Sequence, residues 1–120
     1  MTGTERRNIE TIRRVLAAFA AGDIETVRAL LLPDAEVRFP AAGVFKGQYK
    51  GIAEIFEFFG QFHRETNGTG RIDLEELAAS NNLVFALVNE TAERKGKSIN
   101  ARQVFVYTLD DGRIAALHAY

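Results

Sequence analysis

The chain has no cysteine. No disulfide framework, thiolate nucleophile or cysteine-based metal site is therefore available to it. Long apolar runs are also missing. The longest uncharged one, Val15 to Ala21, is far too short to cross a bilayer. Charge of one sign is not in excess, because 15 basic residues face 16 acidic ones for a net charge of −1. That balance excludes the electrostatic footprint needed to hold a nucleic-acid backbone or an anionic membrane surface. No internal repeat, low-complexity stretch or linker interrupts the 120 residues, so residues 1–120 read as one domain with a single core. The first residues, MTGTERRN, are polar and lead straight into a helical pattern, so no signal peptide is expected and a cytoplasmic setting is the default.

What is present is a helical first half with clear punctuation. Ile9, Ile12, Val15, Leu16 and Phe19 recur at helical spacing, while Arg13 and Arg14 lie off that face, which predicts a helix from about Thr4 to Ala21. Gly22 suits a left-handed helix end. Asp23 can cap the next helix, and Glu25 favours its positive end. In that helix Ile24, Val27, Leu30 and Leu31 face inward, and Pro33 is expected to stop it. A short strand should end at Phe39-Pro40, and a third helix should open after Gly51. That helix carries Ile52, Ile55, Phe56, Phe58, Phe59 and Phe62, an apolar face wide enough to touch both core and cavity.

The second half reads as strands. Leu83 to Thr91 is bounded by Asn81-Asn82 and by Lys95-Gly96-Lys97, and Ile99 to Leu109 is followed by Asp110-Asp111-Gly112 and Arg113 to Tyr120. A three-residue loop ending in glycine is a common hairpin connection. It would pair Leu109 with Arg113, Tyr107 with Ala115, Phe105 with Leu117 and Gln103 with Ala119. Paired residues share a face, so Val104, Val106, Ile114, Ala116, His118 and Tyr120 fall on the other one. Both faces are apolar and both should be buried. Three helices can cover only one. The expected cover for the outer set, extended to Val84, Ala86 and Val88, is a second copy of the chain in a homodimer.

The order of these signals, LAAFAAGDIETVRALLLPDAEVRFP followed by KGQYKGIAEIFEFF, resembles the SnoaL-like and ketosteroid isomerase-like branch of the nuclear transport factor two-like superfamily. The resemblance implies an α+β fold: a cone of three N-terminal helices packed on a strongly curved, mostly antiparallel mixed sheet. It also implies a pocket on the concave sheet face. In the ketosteroid isomerases an Asp base works with a Tyr and a protonated Asp that stabilise an oxyanion. By position the Tyr falls on Val15, the base on Phe39, the protonated Asp on Gln103 and a supporting Tyr on Phe59. Val15 has no donor and Phe39 cannot take a proton, so the resemblance does not carry that activity to this chain, and the catalytic residues are left unassigned.

The same register outlines a ligand site. Phe39, Phe59, Leu87, Phe105 and Leu117 supply apolar walls, and Asn89, Thr91, Gln103 and Tyr107 supply sparse polar groups. Such a lining suits a small apolar ligand that bears a carbonyl or hydroxyl, unless the aromatic side chains simply fill the core. His118 falls on the outer face, but a one-residue register shift would turn it into the pocket. His63 ends the third helix, where a charged imidazole complements the helix dipole. The spacing of the two histidines makes no zinc site. Residues 65–76, ETNGTGRIDLEE, imitate a calcium-binding loop, with Gly70 at the sharp turn and Glu76 at the bidentate position. Glu65 stands where an Asp is usual, however, and the alternation of Ile72 and Leu74 with Asp73 and Glu75 favours a strand. No metal or cofactor is called for. Two functions remain: a cofactor-independent isomerase, cyclase, dehydratase or hydrolase, and a non-catalytic dimeric ligand-binding or assembly module.

Overall fold

The computed structural model describes residues 1–40 and 46–120. Among the described residues, three helices and six strands form an α+β domain in the order α1 (Gly3–Ala21), α2 (Ile24–Leu30), β1 (Leu31–Phe39), β2 (Gly47–Lys50), α3 (Ile52–Glu65), β3 (Arg71–Ser80), β4 (Leu83–Arg94), β5 (Lys97–Asp110) and β6 (Arg113–Ala119). The strands form one sheet in the order β2-β1-β6-β5-β4-β3. Only β1 and β6 run parallel among these pairings, so the sheet is mixed but mostly antiparallel.

Local chemistry explains the helix ends. Thr2 accepts from the Glu5 amide while the Glu5 carboxylate accepts from the Thr2 amide, a reciprocal cap on α1. The same Glu5 carboxylate also accepts from the Asn81 amide at 2.9 Å, tying the helix start to the β3–β4 turn. Gly22 closes α1 in a left-handed conformation with φ 71°, and Asp23 caps α2 through the Thr26 amide. Pro33 does not stop α2. The helix ends at Leu30, and Pro33 lies inside β1. Proline is tolerated there because the β1–β6 ladder is irregular between Leu31 and Glu36, where no donor is required of it.

The hairpin turns set the faces of the sheet. Lys95 and Gly96 have φ 54° and 76° and connect Arg94 directly to Lys97. This two-residue turn places Val84 opposite Tyr107, Ala86 opposite Phe105 and Val88 opposite Gln103. Val84, Ala86 and Val88 therefore point towards the helices and are fully buried, not outward as expected from the alternation alone. The β5–β6 turn is likewise shorter than expected. Asp111 and Gly112 form it, Asp110 pairs with Arg113 and Leu109 with Ile114, and an irregularity follows before Thr108 meets Ala116. The expected pairings of Tyr107 with Ala115 and Phe105 with Leu117 give way to Tyr107 with Leu117 and Phe105 with Ala119. Because the bulge moves the register by two, Leu117 and His118 keep their expected faces. Ile114, however, turns inward and is 2% exposed.

The core lies between α1, α2 and α3 and the inner sheet face. Ile12, Ile55, Val84, Ala86 and Val88 are completely buried there, with Phe105, Val27 and Val37 beside them. On the outer face, Phe85, Leu87, Val106 and Ala116 stay half-buried, and Val104 is 37% exposed.

Candidate functional site

A cavity of about 80 Å³ remains between the helices and the inner sheet face. α1 contributes Val15, Leu16 and Phe19, β1 contributes Val37 and Phe39, and α3 contributes Phe58, Phe59 and Phe62. Ile72, Phe105, Tyr107, Ile114 and Leu117 close it from the sheet. The aromatic side chains brace one another. Phe39 lies 5.1 Å from Phe58 and 6.5 Å from Phe105, and Phe19 meets Phe59 edge-on at 5.2 Å. Such offset and edge contacts hold rings in fixed orientations.

One carboxyl group interrupts this apolar lining. Glu90 projects into the cavity from β4 and is 9% exposed. It lies opposite Ile72 on one side and Ala101 on the other. Gln103, one register step away on β5, donates from Nε2 to Glu90 Oε1 at 3.2 Å. Burial raises the Glu90 pKa above the usual carboxylate value, and the Gln103 hydrogen bond partly offsets the rise. Gln103 Oε1 is itself buried without a partner among the described residues. Tyr107 supplies a second polar group. Its hydroxyl is pushed well above its ordinary range by burial alone, with no hydrogen bond to counter the effect. Tyr107 faces Val84, six residues before Glu90, so the two backbones stand roughly 20 Å apart along the strand.

The structure brings Phe39, Phe59, Phe105, Tyr107 and Leu117 together around the cavity, as the sequence pattern placed them. Gln103 is on the same sheet face beside Glu90. Tyr107 is 4% exposed, so it belongs to the core lining and not to a rim. Leu87 and Asn89 are corrections. They pair with Val104 and Arg102 on the outer face, because the Lys95-Gly96 turn fixes β4 in the opposite phase. Thr91 shares that outer phase. Glu90, which sequence reasoning missed, takes the inward place that Asn89 was expected to hold. The available signal was the reading Val-Ala-Val-Glu-Ala at alternate positions 84 to 92, but a strand glutamate is ordinarily solvent-facing. Of the four positions matched to ketosteroid isomerase donors and base, Val15, Phe39 and Phe59 line the cavity and offer it only hydrocarbon, while Gln103 donates to Glu90.

His118 faces outward, where its Nε2 lies 3.0 Å from Glu36 Oε1. The His118 contact, with help from Gln48, lowers the Glu36 pKa. His63 sits in the last turn of α3. Residues 65–76 run from the end of α3 through a turn with left-handed Asn67 and Gly68 into β3, as the alternation implied.

A family profile described as the SnoaL-like domain matches residues 12–117. The chain belongs to the SnoaL-like family. Its α+β architecture is the cystatin-like fold found among its structural neighbours. Bal32a, from a soil-derived mobile gene cassette, is 31% identical with a TM-score of 0.93, the match covering 98% of this chain and 91% of Bal32a. An uncharacterized protein of Mycobacterium tuberculosis is 28% identical over 98% of this chain and 90% of its own length. TerC, solved after co-crystallization with polyporic acid, is 24% identical with a TM-score of 0.83, covering 95% of this chain and 90% of TerC. At that identity the last likeness concerns the fold alone. Within the SnoaL-like fold, this chain places one carboxyl group among the described residues of an aromatic cavity, where Val15, Phe39 and Phe59 stand at three isomerase positions and Gln103 at the fourth.

Proposed function

We propose that this SnoaL-like protein binds a small apolar molecule bearing a carbonyl or hydroxyl group and transfers a proton to or from it through Glu90, without a cofactor. The observation that carries this reading is a desolvated carboxyl, oriented by Gln103, inside a largely apolar cavity. Desolvation brings a carboxyl pKa nearer to neutral pH, which is what a general acid or base needs. Isomerisation, cyclisation, dehydration and hydrolysis all use such a group. Co-crystallization of TerC with polyporic acid supports the use of this fold as a small-molecule container. A second reading, a non-catalytic ligand-binding or assembly module, is favoured by the small cavity volume of about 80 Å³.

Hydrogen–deuterium exchange separates the two readings. Small ketones incubated with the protein in D2O should exchange their acidic C–H protons faster than in buffer. Glu90→Gln should lower that rate about 10²–10⁴-fold while ligand binding persists. Binding without accelerated exchange favours the module, and equal exchange in Glu90→Gln removes Glu90 from the mechanism. A ketosteroid should stay unconverted, because Val15 and Phe39 supply neither the donor nor the base that those positions hold in that chemistry.

The reading includes a homodimer formed through the outer sheet face. Phe85, Leu87, Val104, Val106 and Ala116 supply its apolar centre, in place of the buried Val84, Ala86, Val88 and Ile114. Charges of both signs flank that centre, with Glu36, Arg38 and Lys50 on one side and the Arg102–Glu75 pair on the other. A two-fold copy can meet each charge with its opposite. It also includes a cytoplasmic setting, supported by a sequence that offers an oxidising compartment nothing to cross-link.

A further inference from the structure

The cavity has a sign. Its walls include the rings of Phe39, Phe59 and Phe105 together with Glu90. Aromatic faces carry negative quadrupole potential. Among the described residues that line the cavity, none is positively charged. Burial raises the Glu90 pKa, the neutral Gln103 amide is its hydrogen-bond partner, and among the described residues no salt bridge reaches it. Arg94, four residues along β4, is engaged with Glu65 at 2.6 Å. Residues 41–45 are Ala-Ala-Gly-Val-Phe and carry no ionisable side chain. The cross-strand neighbours of Glu90 are Ile72 and Ala101, both neutral.

We propose that the molecule this cavity takes carries an ammonium group, which lies against the aromatic faces and supplies the countercharge that Glu90 lacks. The inference rests on the reading that the cavity is the ligand site and names the class of that ligand: a small organic amine, protonated at neutral pH. A buried carboxylate without a partner is costly, and a cation seated beside it removes that cost. The surrounding rings add attraction that a neutral hydroxyl of the same shape does not receive. The volume of about 80 Å³ restricts the apolar body to a few heavy atoms.

Isobutylamine and isobutanol are matched probes, equal in heavy-atom shape and different in charge at pH 7. NMR-detected titration of the intact protein should show isobutylamine binding about tenfold or more tightly than isobutanol, a ratio worth ~1.4 kcal/mol. Glu90→Gln should cut the advantage severalfold, leaving only the part that the rings supply. Phe39→Leu, which keeps an apolar wall but removes a ring face, should reduce the advantage in part and provides a check if Glu90→Gln perturbs folding. Isobutanol binding as well as the amine in the unmodified protein overturns the cationic ligand and leaves the small-molecule reading standing. An advantage undiminished in Glu90→Gln also overturns it. Binding of neither probe overturns both.

Discussion

At the residue scale, Glu90 places function and stability in opposition. Its native pKa is raised above the ordinary glutamate value by burial, so the folded protein holds the proton more tightly than the unfolded chain does. Stability linked to this group is therefore fully present below the ordinary glutamate pKa and falls as pH rises through the native value. Glu90→Gln removes the charge and retains an amide that can hydrogen-bond Gln103. Thermal melts should show the variant more stable than the unmodified protein at pH 7, with the gap narrowing towards pH 4. A gap that widens on acidification would mean that Glu90 is stabilised as a carboxylate. Gly70 makes a second demand at this scale. A Cβ there would overlap the edge of the Phe62 ring, 2.6 Å from Cζ. Gly70→Ala must displace a core phenylalanine that also lines the cavity. Urea titration should report a loss of about 1–3 kcal/mol.

At the scale of elements, the segment from the end of α3 into β3 shows how a short motif yields to its context. Residues 65–76 have ligand-type side chains at several positions of a calcium loop. Yet Thr69 is committed elsewhere: its hydroxyl donates to the Thr66 carbonyl at 2.6 Å and accepts from the Glu93 amide at 2.8 Å. Glu65 is held by Arg94, which lowers its pKa, and from Arg71 onward the chain is laddered to β4. Residues fixed in this way cannot gather round an ion without breaking the sheet edge. Millimolar calcium should leave the melting temperature unchanged, and a chelator should have no effect. A calcium-dependent rise would show a ligand bound by the native state.

At the scale of the whole molecule, the sheet separates two roles. Its inner face, roofed by helices, forms the core and cavity. Its outer face leaves an apolar strip half-covered, a surface that a lone soluble chain does not usually expose as one patch. Light scattering should report a dimer at micromolar concentration. Val106→Asp places a charge in the centre of the strip without touching the core, and should give a folded monomer with an unchanged far-ultraviolet spectrum. A monomeric unmodified protein, or a Val106→Asp dimer, would remove the outer face from assembly.

The sequence by itself determined the three helices, the Gly22 stop, the Asp23 cap, the set of long strands and the α+β class, because helical periodicity, glycine stops and capping side chains act within a few residues of one another. It also placed Phe105 and Leu117 on one face through the hairpin register, and Phe39 and Phe59 beside them through resemblance to a known arrangement. It could not determine which face of β4 is inner. Alternation gives a strand its period, but Val84 to Val88 and Phe85 to Leu87 are both apolar sets, so the phase is undetermined locally. The phase was decided by the two-residue turn at Lys95-Gly96, whose lysine takes a left-handed conformation more usual for asparagine or glycine. Ile114 was decided in the same way, by the shorter Asp111-Gly112 turn and the bulge that follows it. A single step of phase exchanged Asn89 for Glu90 inside the cavity. That exchange, from a neutral amide to a desolvated acid, is a property of strand pairing across the sheet and not of any stretch of chain read alone.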